Sequence, residues 1–245
     1  MRRFVVALLG ATVLGGVAAN AADMPVKAPP APVAVPFNWT GWYLGLNGGY
    51  IWGNSTLTDV TGYNSAGSSF SYKPRGFQGG GQIGYNWQIN QFVFGLEGEL
   101  GYISWKKSAQ YPPFVGVRGP NDSVAETTNG AFGVIAGRVG VAFDRVLVFA
   151  KGGAIFTGIK NSFTDTDATG TTLVSGTDTS HRNGWTAGGG VEYAITRNWI
   201  ARLEYAHYGF GTKSHTATSA GGASFVFDHK LSGDSVRGGI SYLFH

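Results

Sequence analysis

Residues 95 to 102 read GLEGELGY and set Glu97 and Glu99 on alternate positions in a run that is otherwise glycine, leucine and tyrosine. Two carboxylates this close have three chemical readings. They could be a catalytic acid and base, one side of a metal site, or hidden charges facing partners of opposite sign. The elements that carry them decide between these.

Those elements alternate with period two. In GWYLGLNGGYIW, Trp42, Leu44, Leu46, Gly48, Tyr50 and Trp52 share one face, and Tyr43, Gly45, Asn47 and Gly49 share the other, as in a half-apolar strand. Residues 76 to 89 repeat the pattern, with Gln78, Gln82, Asn86 and Gln88 opposite the apolar set. Residues 92 to 105 put Phe92, Phe94, Leu96, Leu100 and Tyr102 on the apolar face, so Glu97 and Glu99 point together to the opposite side. Five further segments, 131–143, 146–156, 185–195, 199–208 and 234–244, follow the same rule, each about the 9 to 11 residues a tilted strand needs to cross a bilayer. Tight turns at Asn90-Gln91, Asp144-Arg145 and Thr196-Arg197-Asn198 alternate with long polar spans near 53–75, 106–130, 157–184 and 209–233. Short turns at one end and long loops at the other predict an all-β fold: an eight-stranded antiparallel up-and-down transmembrane β-barrel, closed so that no strand edge meets lipid.

Followed through every strand, the non-apolar face collects Glu97, Glu99, Glu192 and Glu204 with Arg138, Lys151, Arg202 and Arg237. An eight-stranded barrel is just wide enough to be filled by side chains, so four acids and four bases in one lumen predict an ion-pair network. Gly95, Gly98, Gly101, Gly188 and Gly190 are read as leaving room for the long arginines or letting strands bend. On this reading Glu97 and Glu99 are interior counter-charges, and the expected fold has a polar, charge-paired interior.

The apolar face is graded as a membrane would grade it. Trp87, Phe92, Phe143, Tyr193 and Trp199 lie near the tight turns. Tyr50, Trp52, Tyr102, Trp105, Phe156 and Trp185 lie near the long loops. Two aromatic belts are expected, with Trp52, Trp87, Trp105, Trp185 and Trp199 as their anchors.

Composition agrees. The 245 residues include 40 glycines, 14% aromatics, 13% charged residues and no cysteine, which disfavours helical folds and excludes disulfide and thiolate chemistry. The net charge of +4 is scattered, without the basic footprint of a nucleic-acid binder. Arg2 and Arg3 precede an apolar stretch from Phe4 to Ala18, and Ala19-Asn20-Ala21 supplies small residues for cleavage, so residues 1–21 read as a signal peptide. Residues 22–40 form a proline-rich tether and 41–245 the barrel.

The stretches NWTGWYLGLNGGYIWG, GRVGVAFDRVLVFAKGGAIF, GWTAGGGVEYAITRNWIARLEYAHYGFG and the closing VRGGISYLF resemble the alphaproteobacterial outer-membrane immunogenic, or porin-family, proteins over nearly all of the mature chain. The resemblance implies a cell outer-membrane location and a small barrel similar to the transmembrane domain of OmpA and the opacity proteins. It implies surface-exposed loops as the functional part, with haemin binding in some relatives and structural or adhesive roles in others. It also implies a C-terminal aromatic signal, Tyr242 and Phe244 here, read by the barrel-assembly machinery. In this chain His245 follows Phe244. No peptidoglycan-binding domain follows the last strand, so the anchoring role of longer OmpA chains does not carry over.

Other motifs are weak. GGGQIG at 79–84 fits a dinucleotide fingerprint in letters only, because it lies within a strand. DTDATG at 165–170 begins like a calcium loop, but Thr169 and Gly176 stand where ligands belong, so no metal site is assigned. Of five histidines, His181, His215 and His229 belong to the outer loops and could converge on haem, while His207 is expected on the lipid face near the outer rim. The expected function is a structural barrel and surface antigen that supports the envelope. Its external loops meet host or environmental molecules, and outer-membrane lipids are its surroundings. The alternative is a small porin or haemin-binding uptake protein. An enzyme is disfavoured, since no outward serine stands beside His207 and the interior is charged.

Overall fold

The computed structural model describes residues 36–62, 65–105, 107–110, 124–128, 130–166, 172–219 and 222–245, with backbone alone for most of 105–129 and 159–181. The signal-peptide assignment and most of the tether lie outside these residues.

Eleven strands form one sheet: β1 (Gly41–Asp59), β2 (Ser69–Tyr72), β3 (Arg75–Ile89), β4 (Phe92–Trp105), β5 (Lys107–Gln110), β6 (Val124–Thr128), β7 (Gly130–Phe143), β8 (Val146–Thr166), β9 (Thr172–Ala194), β10 (Trp199–Ser219) and β11 (Ser224–Phe244). Eight of them pair in the order β1, β3, β4, β7, β8, β9, β10, β11, and β11 returns to β1 with Trp42 opposite Phe244. The result is a closed eight-stranded antiparallel barrel. Closure satisfies every wall strand on both sides, which is what lets a sheet sit in hydrocarbon. At two of the tight turns Asn90 (φ 55°) and Asp144 (φ 51°) take the left-handed conformation that these residue types tolerate best.

The faces are inverted relative to a water-soluble barrel. Leu100 is 75% exposed on the outside, whereas Glu204 on the inside is 1% exposed. From Trp42 to Trp52 the wall spans about 33 Å of strand, or about 25 Å of height at the tilt of such barrels, the thickness of an apolar band. Linked rings mark its lower edge: Trp42 with Tyr85 at 5.2 Å, Tyr85 with Trp87 at 4.6 Å, and Trp199 with Tyr242 at 5.2 Å. Tyr50, Trp52 and Trp185 stand at the upper edge, with Tyr50 and Trp52 6.1 Å apart. The side chain of Trp105 lies outside the described set.

Three expectations need correction. The long polar spans are largely strand: β1 runs on to Asp59, β8 and β9 pair up to Thr166 and Thr172, and β10 and β11 pair up to Thr218 and Ser224. Their polar alternation, with Asn54, Thr56 and Thr58 outward, suits a wall that leaves the lipid and continues in water. The interior is not polar throughout. Val93, Leu147, Phe149, Ile200 and Leu243 form an apolar layer below the charges, and Ile51, Ile103, Phe132, Val134 and Ile155 form another above them. These residues occupy the inward phase of the same strands above and below the charged level, where both faces are apolar. Gly98 is the third: it faces lipid, because it falls between the inward Glu97 and Glu99, and a Cβ there would meet Ile83 at 3.9 Å.

Phe37 to Thr40 are packed rather than free. Trp39 is fully buried at the tight-turn end, in the lower apolar layer. Its indole Nε1 donates to the Asp144 carbonyl (3.0 Å) and its backbone N–H to Gln88 Oε1 (2.7 Å). The Phe37 N–H donates to Asp144 Oδ1 (2.9 Å).

Candidate functional site

The eight charged residues share one level of the lumen. Glu97 and Glu99 come from β4, Arg138 from β7, Lys151 from β8, Glu192 from β9, Arg202 and Glu204 from β10, and Arg237 from β11. All are at most 5% exposed. Glu97 Oε1 accepts from Lys151 Nζ at 2.9 Å and Glu97 Oε2 from Arg202 Nη1 at 2.7 Å, with Arg138 Nη1 at 3.7 Å. Glu192 is shared by Arg138 (2.9 Å) and Arg202 (2.6 Å). Glu204 takes Lys151 (2.8 Å) and Arg237 (2.6 Å), and Glu99 pairs with Arg237 and lies 3.9 Å from Lys151. Glu99 does not pair with Arg138, whose partners are Glu97 and Glu192. The formal charges sum to zero, as burial at this depth demands.

Neutral groups complete the network. Tyr43 donates its hydroxyl proton to Glu97 Oε2 (2.7 Å) and accepts from Arg138 Nη1 (3.1 Å). Asn47 donates to Gln82 (2.8 Å) and Glu99 (3.2 Å), and Gln82 donates to Ser241 (3.0 Å). Below, the Phe149 ring carries the Arg138 guanidinium at 4.3 Å. Gly95 is needed for close approach, since a Cβ there would lie 3.0 Å from Arg138 Cγ and 2.6 Å from Asn86 Oδ1. Such a site holds balanced charge at one level of the lumen. Each carboxylate is engaged by two or more donors.

Higher in the lumen a second cluster went unread in the sequence. The buried His229 ring contacts Ser55 Oγ through Nε2 and Arg182 Nη2 through Nδ1 (3.1 Å), and stacks on Tyr72 at 6.4 Å. A guanidinium can only donate, so Nδ1 accepts and Nε2 carries the proton toward Ser55. That tautomer cannot take a proton from the serine. Both ring nitrogens of His229 are engaged, and the side chains of His181 and His215 lie outside the described set. Among the described residues no group of three metal-ligating side chains converges.

At the outer rim His207 faces out, as its strand phase requires. Its Nδ1 lies 2.7 Å from Asp234 Oδ1, which also accepts from the Tyr205 hydroxyl at 2.6 Å. Asp234, an outward acid, was the missed partner, and its period-two phase with Val236 is the signal that places it.

The sequence matches the outer membrane protein beta-barrel domain family over residues 9–244. The chain belongs to this family. Its curated relatives include the 31 kDa outer-membrane immunogenic protein of Brucella melitensis, 34% identical over 92% of this chain and 93% of that one. They also include the 22 kDa outer membrane protein of Rhizobium leguminosarum, 30% identical over 87% and 82%. Neither name denotes an enzymatic activity. Among solved structures, the outer membrane protein OprG of Pseudomonas aeruginosa superposes with a TM-score of 0.56 at 11% identity, covering 85% of this chain and 98% of OprG, a likeness of fold alone. The family places the protein in the outer membrane, and barrels of that membrane turn their short connections to the periplasm and their longer ones outward.

Proposed function

We propose that this structural outer-membrane protein is a sealed, non-enzymatic scaffold that strengthens the envelope and carries its outer strands and connections above the lipid to meet surface molecules. The observation that carries the reading is the Arg202–Glu97 ion pair, which crosses the lumen between two strands on opposite sides of the barrel. Apolar layers close the space above and below, and Trp39 sits in the periplasmic mouth. Such packing supports a lumen filled by side chains over an open channel. In the same reading Tyr242 and Phe244, outward on the last strand with rings 4.8 Å apart, serve as the aromatic signal for barrel assembly.

The test is solute flux through liposomes containing the purified protein. A scaffold leaves efflux of small sugars and ions at the level of empty liposomes. A conductance that falls when Glu97 is exchanged for lysine would instead make the protein a small pore.

A further inference from the structure

We infer that the outer rim carries a binding site for the phosphate of an outer-leaflet lipid, formed by Lys73 and Arg75 with Tyr50 and Trp52. Those four residues, with Asn54, line a cleft of about 410 Å³ where the wall leaves the hydrocarbon. Lys73 and Arg75 are two apart at the junction of β2 and β3, so both point outward and both are exposed. Pro74 between them is buried, and its carbonyl accepts from the Gly53 N–H at 2.9 Å, which pins the junction to β1. Arg75 stands directly opposite Trp52 in the β1–β3 register.

Two further observations make this a site rather than a pair of surface cations. Among the described residues neither Lys73 nor Arg75 forms an ion pair, and the acid at the same level, Asp234, is engaged by His207 and Tyr205 on the far side of Trp52. The ligand chemistry follows from the position. A guanidinium and an ammonium lining one cleft at headgroup depth suit a phosphate, which arginine can grip with two parallel hydrogen bonds. Trp52 beside Arg75, and Tyr50 two residues nearer the membrane, offer rings to the apolar part of the same molecule. A lipid phosphate is therefore chosen over a free anion, because the cleft joins these cations to aromatic rings that continue toward the membrane.

The site shares only the orientation of the barrel with the scaffold reading, and its failure would leave the liposome flux result untouched. The test uses the full chain folded in detergent and native mass spectrometry with lipid A, with its dephosphorylated form, and with inorganic phosphate as competitor. We expect one lipid A retained per barrel. Lys73→Gln with Arg75→Gln should weaken retention about tenfold or more, the size of one lost charge-assisted contact. Dephosphorylated lipid should bind wild type no better than lipid A binds that variant, and Arg75→Lys should fall between. Folding is checked by the heat-dependent gel shift of barrels, and Arg75→Gln alone serves if the double variant does not fold. Retention within twofold of wild type in the folded variant, equal binding of the dephosphorylated lipid, or displacement by equimolar inorganic phosphate would overturn the assignment.

Discussion

Glu97 on β4 and Arg202 on β10 form an ion pair of 2.7 Å across the full width of the barrel, because their strands stand four places apart in a ring of eight. Glu97 also holds Lys151 and Arg138, so Glu97→Ala would leave three cations short of charge. A loss of about 3 to 5 kcal/mol is expected in urea unfolding of the lipid-embedded protein, the range for breaking a buried pair. In a double-mutant cycle, Glu97→Gln with Arg202→Met should show coupling of about 0.5 to 3 kcal/mol, larger than the coupling between Glu99 and Arg138. Equal couplings would show that the network has no preferred pairs.

Leu96 on β4 is exposed on the hydrocarbon face, and Thr212 is exposed on the part of β10 that extends beyond the lipid. Leu96→Arg should cost about 2 to 4 kcal/mol, falling toward zero for Thr212→Arg. Folded yields and unfolding midpoints in liposomes read the difference, and equal tolerance would mean that the lipid boundary has been drawn at the wrong height.

Trp39 fills the periplasmic mouth. Trp39→Ala should destabilise by about 3 to 5 kcal/mol, as large aromatic truncations in packed layers do. Liposome flux should nonetheless stay at background, because the charged layer above it is intact. Flux appearing with Trp39→Ala would make the N-terminal segment the true seal.

Ser55 and His229 lie in contact, and a serine beside a histidine invites comparison with a nucleophile and its base. With Arg182 donating to Nδ1, the ring gives its proton to Ser55 and cannot remove one. A fluorophosphonate probe should therefore leave the folded protein unlabelled. Labelling at Ser55 would reveal a mobile arginine and reopen the question of catalysis.

Much of this site was legible in the residues because a barrel converts period two directly into inside and outside. Glu97, Arg202 and the other six charges needed only their phase. What the phase could not provide was register, which decides that Glu99 meets Arg237 rather than Arg138. Phe149 and Ile155 were hard to assign for another reason: apart from Lys151, residues 146–156 of β8 are apolar on both faces, so alternation has little contrast there. Arg182 and His229 were hidden because Ser, Thr, Gly and Asn stretches read as loop, although the strands simply continue beyond the lipid. Trp39 followed a proline run and gave no periodic signal at all.

The charges also bear on how the chain closes. β1 and β3 contribute none of the eight, and the acids of β4 find Arg202 and Arg237 only once β10 and β11 have come around. A sheet that stopped short would leave Glu97 and Glu99 without those two partners. A strand slipped by one residue would turn its ions toward lipid tails. The buried charges thus penalise a wrong strand count or a slipped alignment, because only the complete ring brings every ion to its counter-charge.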